Sequence, residues 1–141
     1  MEVKTVGVIG AGTMGNGIAQ VAAQVGGLNV IMNDIKQEFV DRGMSTIDKN
    51  LQRQVDKEKI TADQKAAILG KIRKSTDLAD MKDVDFIIEA ATETLDLKLD
   101  LFRRLDEVCK PGVILATNTS SIPVTRLAAA TKRADKVVGM H

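Results

Sequence analysis

The chain has 141 residues, 44% of them hydrophobic and 28% charged, with a net charge of +1. That length fits one domain able to bury a core without disulfides or metals, and the near-neutral balance excludes an overall electrostatic pull toward nucleic acid or an anionic membrane. A single cysteine, Cys109, excludes an intrachain disulfide and a cysteine metal cluster, no apolar run approaches the ~20 residues of a bilayer span, and three Phe with no Trp or Tyr leave little for base stacking.

The first run, "VKTVGVIG", is short, rich in β-branched residues and closed by glycine, so it reads as a buried strand. "TMGNGIAQVAAQVGG" has helical spacing and a Gly-Gly stop. "LNVIMND" is a second buried strand ending in an acid, which completes a parallel crossover unit. Residues 36–74 are highly charged and read as a hairpin of two helices, with a break near "KEKITAD" where Thr61 caps the second. "VDFIIEA" (84–90) is another buried strand. "LDLKLDLFRRLDEVCKPG" is an amphipathic helix with Leu97, Leu101, Leu105 and Val108 at helical spacing and a Pro-Gly stop. "GVILATNTSS" runs from a strand into a polar turn, "PVTRLAAATK" is a short helix, and "KVVGMH" begins one more strand. The alternation predicts an α/β fold of Rossmann type, a doubly wound and mostly parallel sheet with the helical hairpin projecting from it.

The turn "GVIGAGTMG" carries Gly10, Gly12 and Gly15 as G-x-G-x-x-G. Gly10 permits the tight turn, Gly12 lets a pyrophosphate approach the backbone, and Gly15 lets helix and strand pack closely. Ala11, Thr13 and Met14 complete the stretch, whose helix N-terminus offers N–H groups and a positive dipole to phosphates. The motif sits between a strand and a helix, and Asp34 closes the next strand 19 residues after Gly15. A carboxylate there accepts from ribose hydroxyls and repels a 2′-phosphate, which favours NAD without excluding NADP, since Lys36 stands nearby. Asp34 has a second reading, as N-cap of the following helix; the two roles can coexist.

Ligands of doubly wound sheets bind beyond the carboxyl ends of the strands. Glu93, the "TNTSS" turn (117–121) and His141 fall there by topology. Asn118 and Ser120 offer neutral donors and acceptors, and His141, the only histidine, offers a base near working pH. That set suffices to oxidise an alcohol with hydride leaving for a nicotinamide, and no metal site is offered. Each residue also has a plain structural reading: a polar turn with Ser121 as helix cap, a Glu93 that caps or opens the helix at 94–108, a histidine at a chain end.

Taken together, "VIGAGTMGNGIAQVAA", "DIKQEFVDRG", "IIEAATETLDLK", "CKPGVILATNTSSI" and "ATKRADKVVGMH" resemble the N-terminal half of the 3-hydroxyacyl-CoA dehydrogenases, closest to the short bacterial 3-hydroxybutyryl-CoA enzymes. The resemblance implies roles by position. His141 falls at the catalytic base, Ser120 at a serine bonded to the substrate oxygen, and Asn118 at an asparagine contacting cofactor and substrate. Glu93 and Lys98 match positions near the nicotinamide half of NAD. The hairpin matches a tail that helps hold coenzyme A, with Lys57 at a CoA-contacting lysine and Asn50 where some members have a CoA-contacting serine. Lys57 reads equally well as a solvated charge.

The resemblance further implies that residues 1–141 form the NAD-binding domain of a longer protein. A helical second domain would close the substrate cleft, supply the glutamate that orients the histidine and make a homodimer. Alone, the chain is expected to bind NAD and to turn over poorly or not at all. The expected substrate is an acyl-CoA, with neither nucleic acid nor membrane as partner. With no leader pattern at the N-terminus and a single cysteine, the expected location is cytoplasmic. Two other readings stay open: a non-catalytic dinucleotide-binding module, and a related β-hydroxyacid dehydrogenase.

Overall fold

Strand β1 (Thr5–Ile9) has four of its five residues buried, as expected of a strand covered on both faces. A computed structural model describes residues 3–91, 94–118 and 123–140. The first glycine turn leads into α1 (Thr13–Gln24), which ends before Gly27, a residue held at φ +65°. β2 (Asn29–Asn33) follows, then α2 (Gln37–Asp56) and α3 (Ala62–Gly70). Thr61 caps α3 as the sequence predicts: its hydroxyl accepts from the Gln64 N–H while the Gln64 side chain accepts from the Thr61 N–H.

The hairpin expected over 36–74 stops earlier than its charge pattern suggested. Its second helix ends at Gly70, and Ile72–Ser75 forms strand β3 on the edge of the sheet. Arg73 and Lys74 are exposed while Ile72 and Ser75 are buried, so only half of this strand carries an apolar or inward signal. Charges suit an edge strand, because they discourage pairing with another chain. The hairpin is anchored to the domain: Val40, Gly43, Ile47 and Leu51 of α2 are buried.

The second half adds β4 (Phe86–Glu89), α4 (Leu95–Val108), β5 (Ile114–Thr117), α5 (Val124–Ala129) and β6 (Val137–Gly139). All pairings are parallel and the sheet order is β3-β2-β1-β4-β5-β6. This is the Rossmann order, and the chain reverses its winding direction between β1 and β4. Two apolar cores flank the sheet. One, with Val8, Met32, Ile47 and Leu51, lies under α1 and α2. The other, with Ile87, Phe102, Leu105 and Leu127, lies under α4 and α5. Each such side chain contributes roughly 1.5–3 kcal/mol by leaving water.

The buried face of α4 keeps most of the leucine stripe expected for it: Leu101, Leu105 and Val108 pack into the core and Leu97 does not. Leu105 is buried, but its buried partners are Lys98 and Phe102, and Leu97 is 55% exposed. The helix is turned so that Lys98 reaches an acid inside the sheet, which leaves Leu97 outside the core.

At the amino edge, Asp85 accepts from the N–H groups of Lys4 and Thr5 and from Lys110 Nζ, each at 3.0 Å. The Lys4 N–H first, then Lys110 and the Thr5 N–H, lower its pKa from 3.8 to about 2. A depressed carboxylate adds stability above its unfolded pKa, and that stability is lost as pH falls through the folded value. Asp85→Asn should therefore lower the thermal midpoint at pH 6. The gap from wild type should narrow below pH 4 and close only below pH 2 in an acid series of melts. A gap that does not change with pH would contradict this assignment.

Cys109 closes α4 and is 5% exposed. Burial pushes its thiol up to about 11, with Arg133 nearby pulling the other way. The thiolate is the reactive form, so the folded chain at pH 8 should react with a disulfide reagent at least roughly 100-fold more slowly than chain unfolded in urea. Comparable rates in both would mean the thiol is accessible.

Candidate functional site

The glycine turn is built as a cradle. Gly10 leaves β1 at φ +105°, a conformation that L side chains rarely adopt, and a Cβ there would lie 2.9 Å from the backbone of Ala90 and Ala91. A Cβ on Gly15 would lie 1.7 Å from the Gly10 carbonyl oxygen, so α1 rests directly on the turn. A Cβ on Gly12 would meet nothing within 4 Å. That open space is where an anionic group can reach the backbone. The first-turn N–H groups of α1, including those of Thr13 and Met14, have no acceptor within the helix, and the helix has no acidic residue in its first turn. The dipole and these donors favour a phosphate there.

Asp34 stands beside the cradle. Its Oδ2 accepts from the Ala11 N–H at 2.8 Å and its Oδ1 from the Ile35 N–H at 2.8 Å. The carboxylate thus ties the end of β2 to the glycine turn while keeping lone pairs for a further donor. The helix N-cap position belongs to Lys36, so Asp34 does not fill the capping role that its sequence position also allowed.

A groove of about 380 Å³ runs over Gly10, Gly12 and Thr13 between Asp34 and Ala91. It shares Gly10, Asp34, Ile35 and Ala91 with a larger groove of about 870 Å³ bounded by Leu97, Leu101 and Arg104 of α4. One wall is phosphate-compatible backbone, one edge carries a carboxylate, and the far wall on α4 combines Leu97, Leu101 and Val108 with Asp100, Arg104 and Glu107. These residues fit an adenine dinucleotide: the cradle its pyrophosphate, Asp34 its ribose, and Ile35 with Leu97 and Leu101 its planar base.

Residues 5–141 match the family model described as "3-hydroxyacyl-CoA dehydrogenase, NAD binding domain". The chain belongs to this family. Among similar proteins, a probable 3-hydroxybutyryl-CoA dehydrogenase of Deinococcus radiodurans is 51% identical over 96% of this chain and 48% of its own length. The 3-hydroxybutyryl-CoA dehydrogenase of Bradyrhizobium diazoefficiens is 47% identical over 99% of this chain and 47% of its own. The crystal structure of (S)-3-hydroxybutyryl-CoA dehydrogenase from Ralstonia eutropha superposes with a TM-score of 0.94 at 50% identity, over 99% of this chain and 49% of that one. The chain spans about half the length of the curated relatives it matches.

In this 3-hydroxyacyl-CoA dehydrogenase domain the other expected residues fall in four groups. Asn118 follows β5 at the carboxyl edge, and its N–H donates to the Glu89 carbonyl at 2.8 Å. Ser120, Ser121, Glu93 and His141 lie outside the described residues. For the structural readings, the N-cap of α4 is Thr94 and its first-turn acid is Asp96; α5 opens at Pro123.

Lys98 sits at the carboxyl edge, but its amino group points into the protein. Nζ donates to both Glu89 oxygens, at 3.2 and 3.1 Å, in a pair where Lys98 is 4% and Glu89 0% exposed.

Asn50 and Lys57 are far from the cradle. Asn50 donates to Gln20 across the α1–α2 seam, where Gln54 also pairs with Gln24. Lys57 closes α2. Gly43 touches Ala11, and fourteen residues of helix separate it from Lys57, about 20 Å at 1.5 Å per residue.

Sequence reasoning missed Glu89, Ile35 and Arg42. Ile35 and Arg42 line the smaller groove, yet an exposed isoleucine and an arginine on a charged helix carry no distinctive signal. Glu89 had one: an acid inside the apolar run "FIIEA". Among the described residues no group of His, Cys, Asp and Glu could hold a metal ion, and no helix is long and apolar enough to cross a membrane.

Proposed function

We propose that the chain is the cofactor-binding half of an NAD-dependent dehydrogenase interconverting short (3S)-3-hydroxyacyl-CoA and 3-oxoacyl-CoA, with 3-hydroxybutyryl-CoA and acetoacetyl-CoA as the pair. The observation that carries this reading is the cradle, with open space over Gly12 and Asp34 bonded to the Ala11 N–H. The 3-hydroxybutyryl-CoA dehydrogenases among the relatives supply the substrate.

NAD, when bound, supplies the hydride acceptor for C3 of the alcohol. Gly10, Ala11, Gly12, Thr13, Met14 and Gly15 hold its phosphates, and Asp34 accepts from its adenosine ribose. Glu93 serves the nicotinamide half. Asn118 orients cofactor and substrate, Ser120 hydrogen-bonds the substrate oxygen, and His141 takes the hydroxyl proton. Lys57 and Asn50 serve the CoA phosphates, whose distance from the reacting carbon suits their place far down α2. A second domain, like the other half of the relatives, closes the cleft, orients His141 and forms a homodimer in the cytoplasm.

The test is NADH-dependent reduction of acetoacetyl-CoA, run on the complete reading frame that contains these residues and on residues 1–141 alone. Turnover by the former with little or none by the latter supports the full reading. No turnover by the former with NADH or NADPH would remove the substrate assignment and favour a dinucleotide-binding module.

A further inference from the structure

Glu89 and Lys98 are buried charges at the centre of the carboxyl edge, and nothing in the assignments above uses Glu89. Burying such a pair carries a desolvation cost for each ion, and apolar packing in its place is often as stable or more so. The contacts of this pair converge on loops rather than on the core. Glu89 Oε2 accepts from the Ala91 N–H at 2.7 Å, and Oε1 accepts from the Thr117 hydroxyl at 2.7 Å. The Glu89 carbonyl takes the Asn118 N–H. Lys98, from the first turns of α4, neutralises the carboxylate from the third side. Ala91 is the wall shared by both grooves, and its backbone lies against Gly10.

We propose that Glu89 and Lys98 are a positioning pair: the buried carboxylate pins the Ala90–Ala91 loop and the Thr117–Asn118 turn to the glycine cradle, and Lys98 acts through that carboxylate by pairing with it and fixing its orientation. This deepens the NAD reading and rests on it for its effect on affinity. A fully satisfied buried network of this kind rigidifies what it joins.

The test uses residues 1–141 with Lys98→Met, Glu89→Gln and the double variant. Amide hydrogen exchange at Ala91 and Asn118 is measured without cofactor, and NADH affinity by titration. Lys98→Met should speed exchange at both amides by about tenfold or more and weaken NADH by a similar factor. In the Glu89→Gln background, Lys98→Met should add little to either readout, because the charge it served is gone. This comparison also stands if the Lys98→Met single variant does not fold.

Four results overturn the proposal. Weaker NADH binding with unchanged exchange would make Lys98 a direct cofactor contact, as would a full Lys98→Met effect in the Glu89→Gln background. Faster exchange with unchanged NADH affinity in the folded protein would leave a purely structural pair. If wild-type chain binds no NADH, the cofactor reading fails on its own account, and the exchange rates still decide whether the pair holds the loops: unchanged rates overturn it.

Discussion

Gly15→Ala should abolish NADH binding and destabilise the chain, whereas Gly12→Ala should abolish or severely weaken binding alone. The difference lies in what each new methyl meets. At Gly15 it would sit 1.7 Å from the Gly10 carbonyl oxygen and 2.6 Å from its carbon. Both are backbone atoms of a turn that is itself wedged against Ala90 and Ala91, so nothing flexible can give way. α1 must lift from the turn, and overpacking of this severity costs about 3 kcal/mol or more. At Gly12 the methyl meets nothing within 4 Å of the protein, and φ of −69° suits alanine. The fold should keep its thermal midpoint within about 2 °C, while the methyl occupies the space reserved for pyrophosphate. NADH titrations paired with melts separate the two. A stable Gly12→Ala variant with wild-type affinity would contradict the cradle.

Arg133→Ala should be the most damaging surface-to-polar-core change. Arg133 Nε donates to Asp106 Oδ1 at 2.6 Å, and its two other nitrogens donate to the carbonyls of Lys110, Val113, Asp106 and Cys109 at 2.9–3.2 Å. Three of those carbonyls belong to the end of α4 and the residues just after it, groups that a helix terminus leaves without partners. One planar guanidinium closes them all, and a lysine ammonium cannot reproduce that fork. Both side chains of the ion pair are 11% exposed. Truncation takes the cation from the Asp106 carboxylate, which keeps the Lys132 N–H, and removes a donor from each of the carbonyls, at a cost of about 3–5 kcal/mol. Urea unfolding should show that loss, with Arg133→Lys recovering less than half of it. Neither Arg133 nor Asp106 lines either groove, so NADH affinity of the folded variant should stay at the wild-type value. A loss below about 1 kcal/mol would show that water replaces the guanidinium at little cost.

The parts of the fold that were legible from residues are those where one strong local signal acts alone. G-x-G-x-x-G followed by Asp34 specified the first crossover, and Thr61 specified the start of α3. β3 was not legible because Arg73 and Lys74 take up half of a four-residue strand and extend the charge pattern of the hairpin. The face of α4 was legible at Leu101, Leu105 and Val108 but not at Leu97, because the residue that sets the rotation of its first turns is a lysine. Lysine is expected in water, and its partner lies nine residues away in another element. That pairing exists only after the sheet has formed. The same holds for the approach of Asn118 to Glu89, a consequence of the parallel β4–β5 register.

The most direct measurement is a calorimetric titration of NADH, and separately NADPH, into residues 1–141. Saturable binding of NADH at one site, with NADPH weaker by about tenfold because Asp34 repels its 2′-phosphate, is the expected result. Absence of saturable NADH binding by well-folded chain, or equal affinity for NADPH, would contradict the assignment of the groove and of Asp34.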